Sequence, residues 1–330
     1  MMMNNTLKNQ YSFPSGTIVY GKWHHNRYTI VKELGSGANG IVYLAKCQND
    51  LVALKMSDNT MSVTSEVNVL KAFKKVQGST LGPSLLDIDD WERKTRRIPF
   101  YVMEYIQGPD LLTFIQTKGH SWSGVLILQL LNDLYRLHQE GWVFGDLKPE
   151  NLIITDSPTK IRCIDVGGTT MQGRAIKEFT EFFDRGYWGA GSRKAEPSYD
   201  LFAVAMILIN LSFPSRFTKK GDGIEQLIKV VEAKPELDKY RNVLIKALTG
   251  KYVTALEMRK DLLKVLSNDS NGTQQRKPIQ RNKMKPNGKP INRTRQGKRK
   301  QRKTTRVFET VCIVLIVSFL YFIYIYGQLL

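Results

Sequence analysis

Three short, largely apolar runs lie near the start of the chain, Tyr28 to Leu34, Ile41 to Ala45 and Leu51 to Met56. Their length and residue types, with turn residues between them, predict strands. The first two runs are separated by Gly35-Ser36-Gly37-Ala38-Asn39-Gly40, a turn sequence, so they should pair as a hairpin. A helical pattern follows: Val67, Leu70 and Phe73 recur at helical spacing within Met61 to Lys75. Two further strands are expected at Leu81 to Asp90 and Ile98 to Tyr105, before Gly108-Pro109 breaks the pattern. Beyond it the chain reads as helical. Leu111 to Thr117 precedes Ser121 to Gln139, whose Leu126, Leu130, Leu131, Leu134 and Leu137 form one apolar face. Strand-like runs flank a polar turn within Gly141 to Ile154, and another lies in Lys160 to Gly168. Leu201 to Phe213 is apolar for thirteen residues, too short to cross a bilayer, and reads as a buried core helix. Helices over Gly223–Ala233, Glu236–Leu248 and Ala255–Leu266 complete the folded part.

Strands followed by helices predict an α+β protein with a β-rich lobe over 28–104 and a helical lobe over 109–266. Residues 1–27 read as a mixed polar extension broken by Pro14, Gly16 and Gly21. They contain His24 and His25, expected as surface residues because no further ligand is placed to join them. His138, at the end of a helix, reads as structural.

From Ser267 the pattern disappears. Asn, Gly, Gln, Pro, Lys and Arg dominate up to Arg306, a composition that builds no core, so 267–306 is expected to be a disordered linker. Thr310 to Leu330 is 21 residues without a charge, and a transmembrane helix is expected over 307–330. The segment has no polar face, which argues against an amphipathic surface helix. Tyr321, Tyr324 and Tyr326 suit an interfacial belt at one end. Arg302, Lys303 and Arg306 flank the other, so the folded part is expected in the cytosol at the cell membrane, and no sensor domain is expected outside. The first residues lack an apolar core, so no secretory signal is read there.

Charge sharpens the view of this tail. Of a net +19 over 330 residues, 14 positive charges lie between Asn271 and Arg306 with no Asp or Glu among them, leaving only +5 for the rest. Arg276, Lys277, Arg281, Lys283, Lys285, Lys298, Arg299, Lys300, Arg302 and Lys303 make up most of this tract. It suits a topology signal, anionic lipid or nucleic acid. It contains no aromatic residue, so contact with DNA would be electrostatic and independent of sequence. Cys47, Cys163 and Cys312 show no metal-ligand spacing and fit a reducing compartment.

Candidate chemistry is concentrated in Gly141 to Ile154, where Asp146, Lys148 and Asn151 share one turn. An acid that accepts a proton, a cation that offsets phosphoryl charge and an amide that holds a metal are the needs of phosphoryl transfer. A solvated turn is the plain alternative. The glycine-rich turn is followed by a strand rather than a helix, which suits a flap over phosphates and not a dinucleotide fold. Lys55 ends an apolar strand, where it can meet phosphates or simply blunt an edge. Glu66 can reach back to it from the next helix. Asp165 ends another apolar run and, with Asn151, offers the hard oxygens that Mg²⁺ prefers. Thr169 to Ala195 is irregular and reads as a substrate-facing segment.

These residues in this order resemble the Hanks-type (eukaryotic-like) Ser/Thr protein kinases from about Tyr28 to Leu266. The matches are Gly35, Gly37 and Gly40 of the glycine-rich loop, Lys55, Glu66, the catalytic-loop Asp146, Lys148 and Asn151, the metal-binding Asp165, and the buried Asp200. The resemblance implies a two-lobed kinase fold with ATP and Mg²⁺ in the cleft and protein substrates. It implies Asp146 as proton acceptor and Lys148 as phosphoryl stabiliser, and extends the nucleotide site to Leu34, Ser36, Val42, Ala53 and Glu104. A basic linker before a C-terminal anchor resembles the YabT type of these kinases, for which DNA is the expected linker ligand. Thr169, Thr170 and Thr180 are candidate phosphosites, which would involve self-association.

Four departures qualify the likeness. His-Arg-Asp is Phe144-Gly145-Asp146, so the arginine that docks a phosphorylated activation loop is missing. Asp-Phe-Gly is Asp165-Val166-Gly167, and Ala-Pro-Glu is absent, its place falling near Gly186-Tyr187-Trp188. Its arginine partner is not evident, Lys251 lying nearest. Thr180 suits the threonine before the substrate-binding loop. A small-molecule phosphotransferase, suggested by Gly145-Asp146-Leu147, and a pseudokinase scaffold remain the alternatives to an active protein kinase.

Overall fold

The computed structural model describes residues 12–37, 40–75, 81–93 and 96–272, all within one compact unit of the chain that ends at Arg276. The expected membrane helix and nearly all of the basic linker lie outside the described residues.

A six-stranded antiparallel sheet forms the first lobe from β1 (Ile18–Tyr20), β2 (Arg27–Gly37), β3 (Gly40–Cys47), β4 (Asp50–Met56), β5 (Leu85–Arg93) and β6 (Arg96–Glu104). The strands lie in the order β1-β2-β3-β4-β6-β5. The period of two sends alternate residues into different cores. Ala53, Tyr101 and Met103 join the main core shared with the helical lobe, whereas Val52, Leu54, Phe100 and Val102 pack with Phe13, Val19, Tyr43 and Trp91 on the opposite face. Register matters at one pair above all: Lys55 of β4 lies directly across from Tyr101 of β6. Helix α1 (Thr60–Lys75) covers β5 and β6.

The sheet begins before Tyr28. Residues read as a polar extension supply β1, which pairs with β2, and Phe13, which stacks edge-on against Trp91 at 5.1 Å.

The second lobe is built on α2 (Leu111–Lys118), α3 (Ser121–Gln139) and α5 (Pro197–Ser212), with the short α4 (Arg185–Trp188) before the last. Asp110 caps α2 by accepting from Thr113 N at 2.9 Å. Every residue of α5 from Tyr199 to Leu211 is buried, as a helix apolar all round requires. Around it stand α6 (Gly223–Ala233), α7 (Pro235–Asp238), α8 (Arg241–Leu248) and α9 (Ala255–Gly272), the last lying along α3. The single helix expected over Glu236–Leu248 is instead α7 and α8. Burial of Leu237 and Tyr240 anchors the turn between them. Four short strands carry the site: β7 (Trp142–Val143) pairs with β10 (Thr170–Met171), and β8 (Leu152–Thr155) pairs with β9 (Lys160–Cys163).

Candidate active site

The loop between β7 and β8 is held from below by one buried carboxylate. Asp200 accepts from the backbone N–H of Phe144 at 2.8 Å and of Gly145 at 2.9 Å, and lies 2.8 Å from His138 Nε2. Its side chain is fully buried, so these partners replace water. His138 is therefore a second support for the same loop.

Above that base the loop brings three groups together. Lys148 Nζ lies 2.5 Å from Asp146 Oδ2. Thr180 donates its hydroxyl to Asp146 Oδ1 at 3.0 Å and accepts from Lys148 Nζ at 3.2 Å. Asn151 sits in a tight turn and donates Nδ2–H to the carbonyl of Asp146 at 3.2 Å, which aims its amide oxygen away from the loop backbone. The chemistry available here is a positioned carboxylate beside a cation, with a segment from the second lobe closing over it.

Gly145 is required by its surroundings. Its φ is +85°, and a Cβ would fall 2.5 Å from the carbonyl oxygen of Gly168. The missing arginine is thus explained by the close approach of two backbones.

On the facing side, Lys55 Nζ contacts Glu66 Oε2 at 2.5 Å, both nearly buried. The same oxygen accepts the Tyr101 hydroxyl at 2.6 Å, and Oε1 accepts from Ser62 Oγ at 3.1 Å. Burial, reinforced by the neighbouring Glu66, pushes the Tyr101 phenol well above its usual range, so it remains a donor. Asp165 is exposed and accepts from Gly167 N at 3.0 Å, while Val166 is buried in the main core.

The glycines of the β2–β3 hairpin divide into two kinds. Gly40 has φ +127°, and a Cβ there would lie 2.1 Å from Met56 O. At Gly35 and Gly37 a Cβ would meet nothing within 4 Å. Their smallness is not demanded by the chain itself, which fits a bound group approaching the backbone. Leu34 is exposed, Val42 half-buried and Ala53 buried beside this hairpin, and Ser36 pairs across it with Ile41. Free space over Gly35 and Gly37, a paired lysine opposite and the hard oxygens of Asn151 and Asp165 together fit a nucleoside triphosphate with a divalent cation.

Residues 28–271 match the protein kinase domain family. The chain is a protein kinase. It is 51% identical over 341 residues to serine/threonine-protein kinase YabT of Bacillus subtilis strain 168, covering 98% of each chain. It is 29% identical over 211 residues to serine/threonine-protein kinase D of Synechocystis, covering 56% of this chain and 40% of that one. The solved kinase domain of PknI from Mycobacterium tuberculosis shares the fold, with a TM-score of 0.55 at 18% identity, covering 77% of this chain and all of that domain. The kinase is thus a serine/threonine protein kinase closely related to YabT, and it takes ATP and protein substrates as members of the family do.

Other expected residues have more varied placements. The carboxylate of Glu104 is held by Arg162 through two bonds of 2.5 and 2.9 Å and by Ser84 N at 3.1 Å, so its side chain is committed to the protein. The Arg162 guanidinium keeps that carboxyl below its usual range. Among the candidate phosphosites, Thr169 is buried, Thr170 bonds Gly168 O at 3.0 Å, and Thr180 is engaged with Asp146. In the place of Ala-Pro-Glu, Trp188 is fully buried, donates Nε1–H to Phe182 O at 2.9 Å and meets the edges of Phe182 and Phe217. Apolar burial there needs no arginine partner, and Lys251 is exposed.

Sequence reasoning missed Tyr101, Arg162 and the buried Asp184, which accepts from Gly186 N, Tyr187 N, Arg193 and Tyr199. The alternation of β6 marks Tyr101 as facing the main core but does not show what it meets. His24 lies at the surface as expected, but the expectation that no further ligand joins it is corrected. Its Nδ1 lies 2.6 Å from Asp87 Oδ1 and 3.9 Å from Asp89 Oδ2, although the ring is more than half exposed. The two carboxylates come from β5, far along the chain. Tyr28, Asn26 and the backbone of Trp23 and His24 bind them too, so the cluster is a hydrogen-bonded clasp.

Proposed function

We propose that this kinase transfers the γ-phosphoryl of ATP to protein serine or threonine hydroxyls while anchored to the membrane through 307–330, with its basic linker bound to DNA. The observation that carries the catalytic part is the three-way contact of Asp146, Lys148 and Thr180 beside Asn151. ATP supplies the phosphoryl group, and Mg²⁺ offsets its charge. Asp146 accepts the substrate hydroxyl's proton at a carboxylate oxygen that Thr180 keeps oriented. Lys148 stabilises the transferring group. Asn151 and Asp165 offer the oxygens for the cation. Lys55, steadied by Glu66, holds the nucleotide's phosphates, and the backbone of Gly35 to Gly40 with Leu34, Val42 and Ala53 covers it. Glu104 contributes through its main chain, since its carboxylate is taken by Arg162.

The linker and anchor rest on composition: 14 positive charges in 271–306, then an uncharged run from Thr310 to Leu330. The domain would lie on the cytoplasmic side. Phosphate neutralisation gives DNA binding that weakens steeply with salt and does not depend on sequence.

The test is phosphate transfer from radiolabelled ATP by the full-length protein, alongside Lys55→Met and Asp165→Asn. Loss of incorporation in both variants is expected, and unchanged incorporation in both would refute the catalytic assignment. Removing 276–306 should abolish salt-sensitive binding of duplex DNA. Equal binding without the tract, or binding only to vesicles containing anionic lipid, would refute the DNA assignment.

A further inference from the structure

The sheet delivers two side chains to one oxygen. Lys55 and Tyr101 are cross-strand neighbours on β4 and β6, so both project from the same face. Both reach Glu66 Oε2, at 2.5 Å and 2.6 Å. Ser62, one turn earlier on α1, holds the other carboxylate oxygen at 3.1 Å. The sheet therefore grips α1 at two points, one cationic and one neutral.

We propose that Tyr101 is a positioning residue that keeps α1 and Glu66 docked on the sheet while Lys55 engages the nucleotide's phosphates. This rests on the reading of Lys55 as the phosphate-holding lysine. A lysine shared between a carboxylate and an incoming phosphate loosens its grip on the carboxylate. A phenol does not compete for phosphate in the same way, because its hydroxyl already points at Glu66 inside the core. With the phenol 1% exposed and its proton held well above the usual range, the bond persists throughout the physiological pH span. The arrangement also suits a kinase whose catalytic loop has glycine at position 145, where the arginine that reads activation-loop phosphorylation is missing. Here α1 is held inward by a bond that needs no modification to form.

The Tyr101→Phe variant keeps the ring in its apolar setting and removes only the hydroxyl. Hydrogen bonds to charged groups are worth more than neutral ones, so kcat/KM for ATP should fall roughly tenfold or more. Amide exchange should speed up across 60–75 while that of β4 and β6 stays as in the parent. Pairing Tyr101→Phe with Glu66→Ala gives the coupling: the Phe substitution should cost little once the carboxylate is gone. If Glu66→Ala has no measurable turnover, the exchange pattern of the single variant decides. The full-length protein is used throughout, with Lys55→Met as control.

Activity within about twofold of the parent with unchanged exchange in α1 would overturn the proposal, as would a uniform speeding of exchange across the whole sheet, which marks a merely structural role. Retained activity in Lys55→Met would instead overturn the phosphate-holding assignment itself. The two failures are therefore distinguishable.

Discussion

Gly145 and Gly168 touch backbone to backbone, so closely that a Cβ on Gly145 would stand 2.5 Å from the Gly168 carbonyl oxygen. A Cβ on Gly168 would in turn lie 2.9 Å from Cβ of Asp146. The catalytic loop and the start of the segment after Asp165 are thus seated on each other through two glycines. Restoring the arginine that other kinases carry at position 145 should not create phosphate control here. Gly145→Arg is expected to abolish transfer, and Gly145→Ala to reduce kcat severalfold or more, because each adds a Cβ at a left-handed φ that costs on the order of 1–2 kcal/mol even before the clash. Steady-state kinetics and a thermal melt check this. Near-parental activity in Gly145→Ala would show that the contact is not limiting.

Thr180 is placed to serve Asp146 directly. Thr180→Val keeps shape and loses both hydrogen bonds, and kcat should drop by roughly tenfold or more, in line with losing bonds to charged partners. Thr180→Ser should recover most of it. An active Thr180→Val would also revive Thr180 as a free phosphosite, which its bond to Asp146 argues against.

Asp200 satisfies two buried backbone donors and touches His138. Asp200→Ala orphans them, at about 1–3 kcal/mol for each buried group, and should lower the melting temperature sharply and remove activity together. His138→Phe should be milder, since Asp200 keeps its hold on Phe144 and Gly145. If Asp200→Ala melts like the parent, the loop is supported by something else.

The clasp at His24 predicts a pH dependence of defined sign. The hydrogen bond to Asp87 is the main cause that raises His24 above its usual 6.5, with Asp87 and Asp89 charges adding and burial opposing. A raised folded value means the stabilisation is fully present below the unfolded pKa and is lost as pH rises through the folded one. The melting temperature of the parent should therefore exceed that of His24→Gln by more at pH 5.5 than at pH 9. A gap that is constant or widens with pH would contradict the clasp.

The two-lobed plan was legible because its signals are local. The short apolar runs Tyr28–Leu34 and Leu51–Met56, separated by turn residues, and the helical repeat of Ser121–Gln139 mark what each segment must bury, and the structure forms strands and a helix there. The polar N-terminal stretch misled because β1 is only three residues long and gains its stability from β2 and from a core it shares with Phe13 and with Trp91, far along the chain. The merged helix at Glu236–Leu248 misled because two buried side chains, not a strong breaker, turn the chain at Tyr240.

The sequence by itself determined the candidate chemistry. Asp146, Lys148, Asn151, Lys55, Glu66 and Asp165 are singled out by residue type, spacing and order, as the groups that phosphoryl transfer would need. Only the tertiary structure decided what supports them. Tyr101 meets Glu66 from 35 positions away, Asp200 meets Gly145 from 55, and Arg162 meets Glu104 from 58. Such partners depend on strand register and helix orientation, which burial of the whole core fixes at once and no local pattern records.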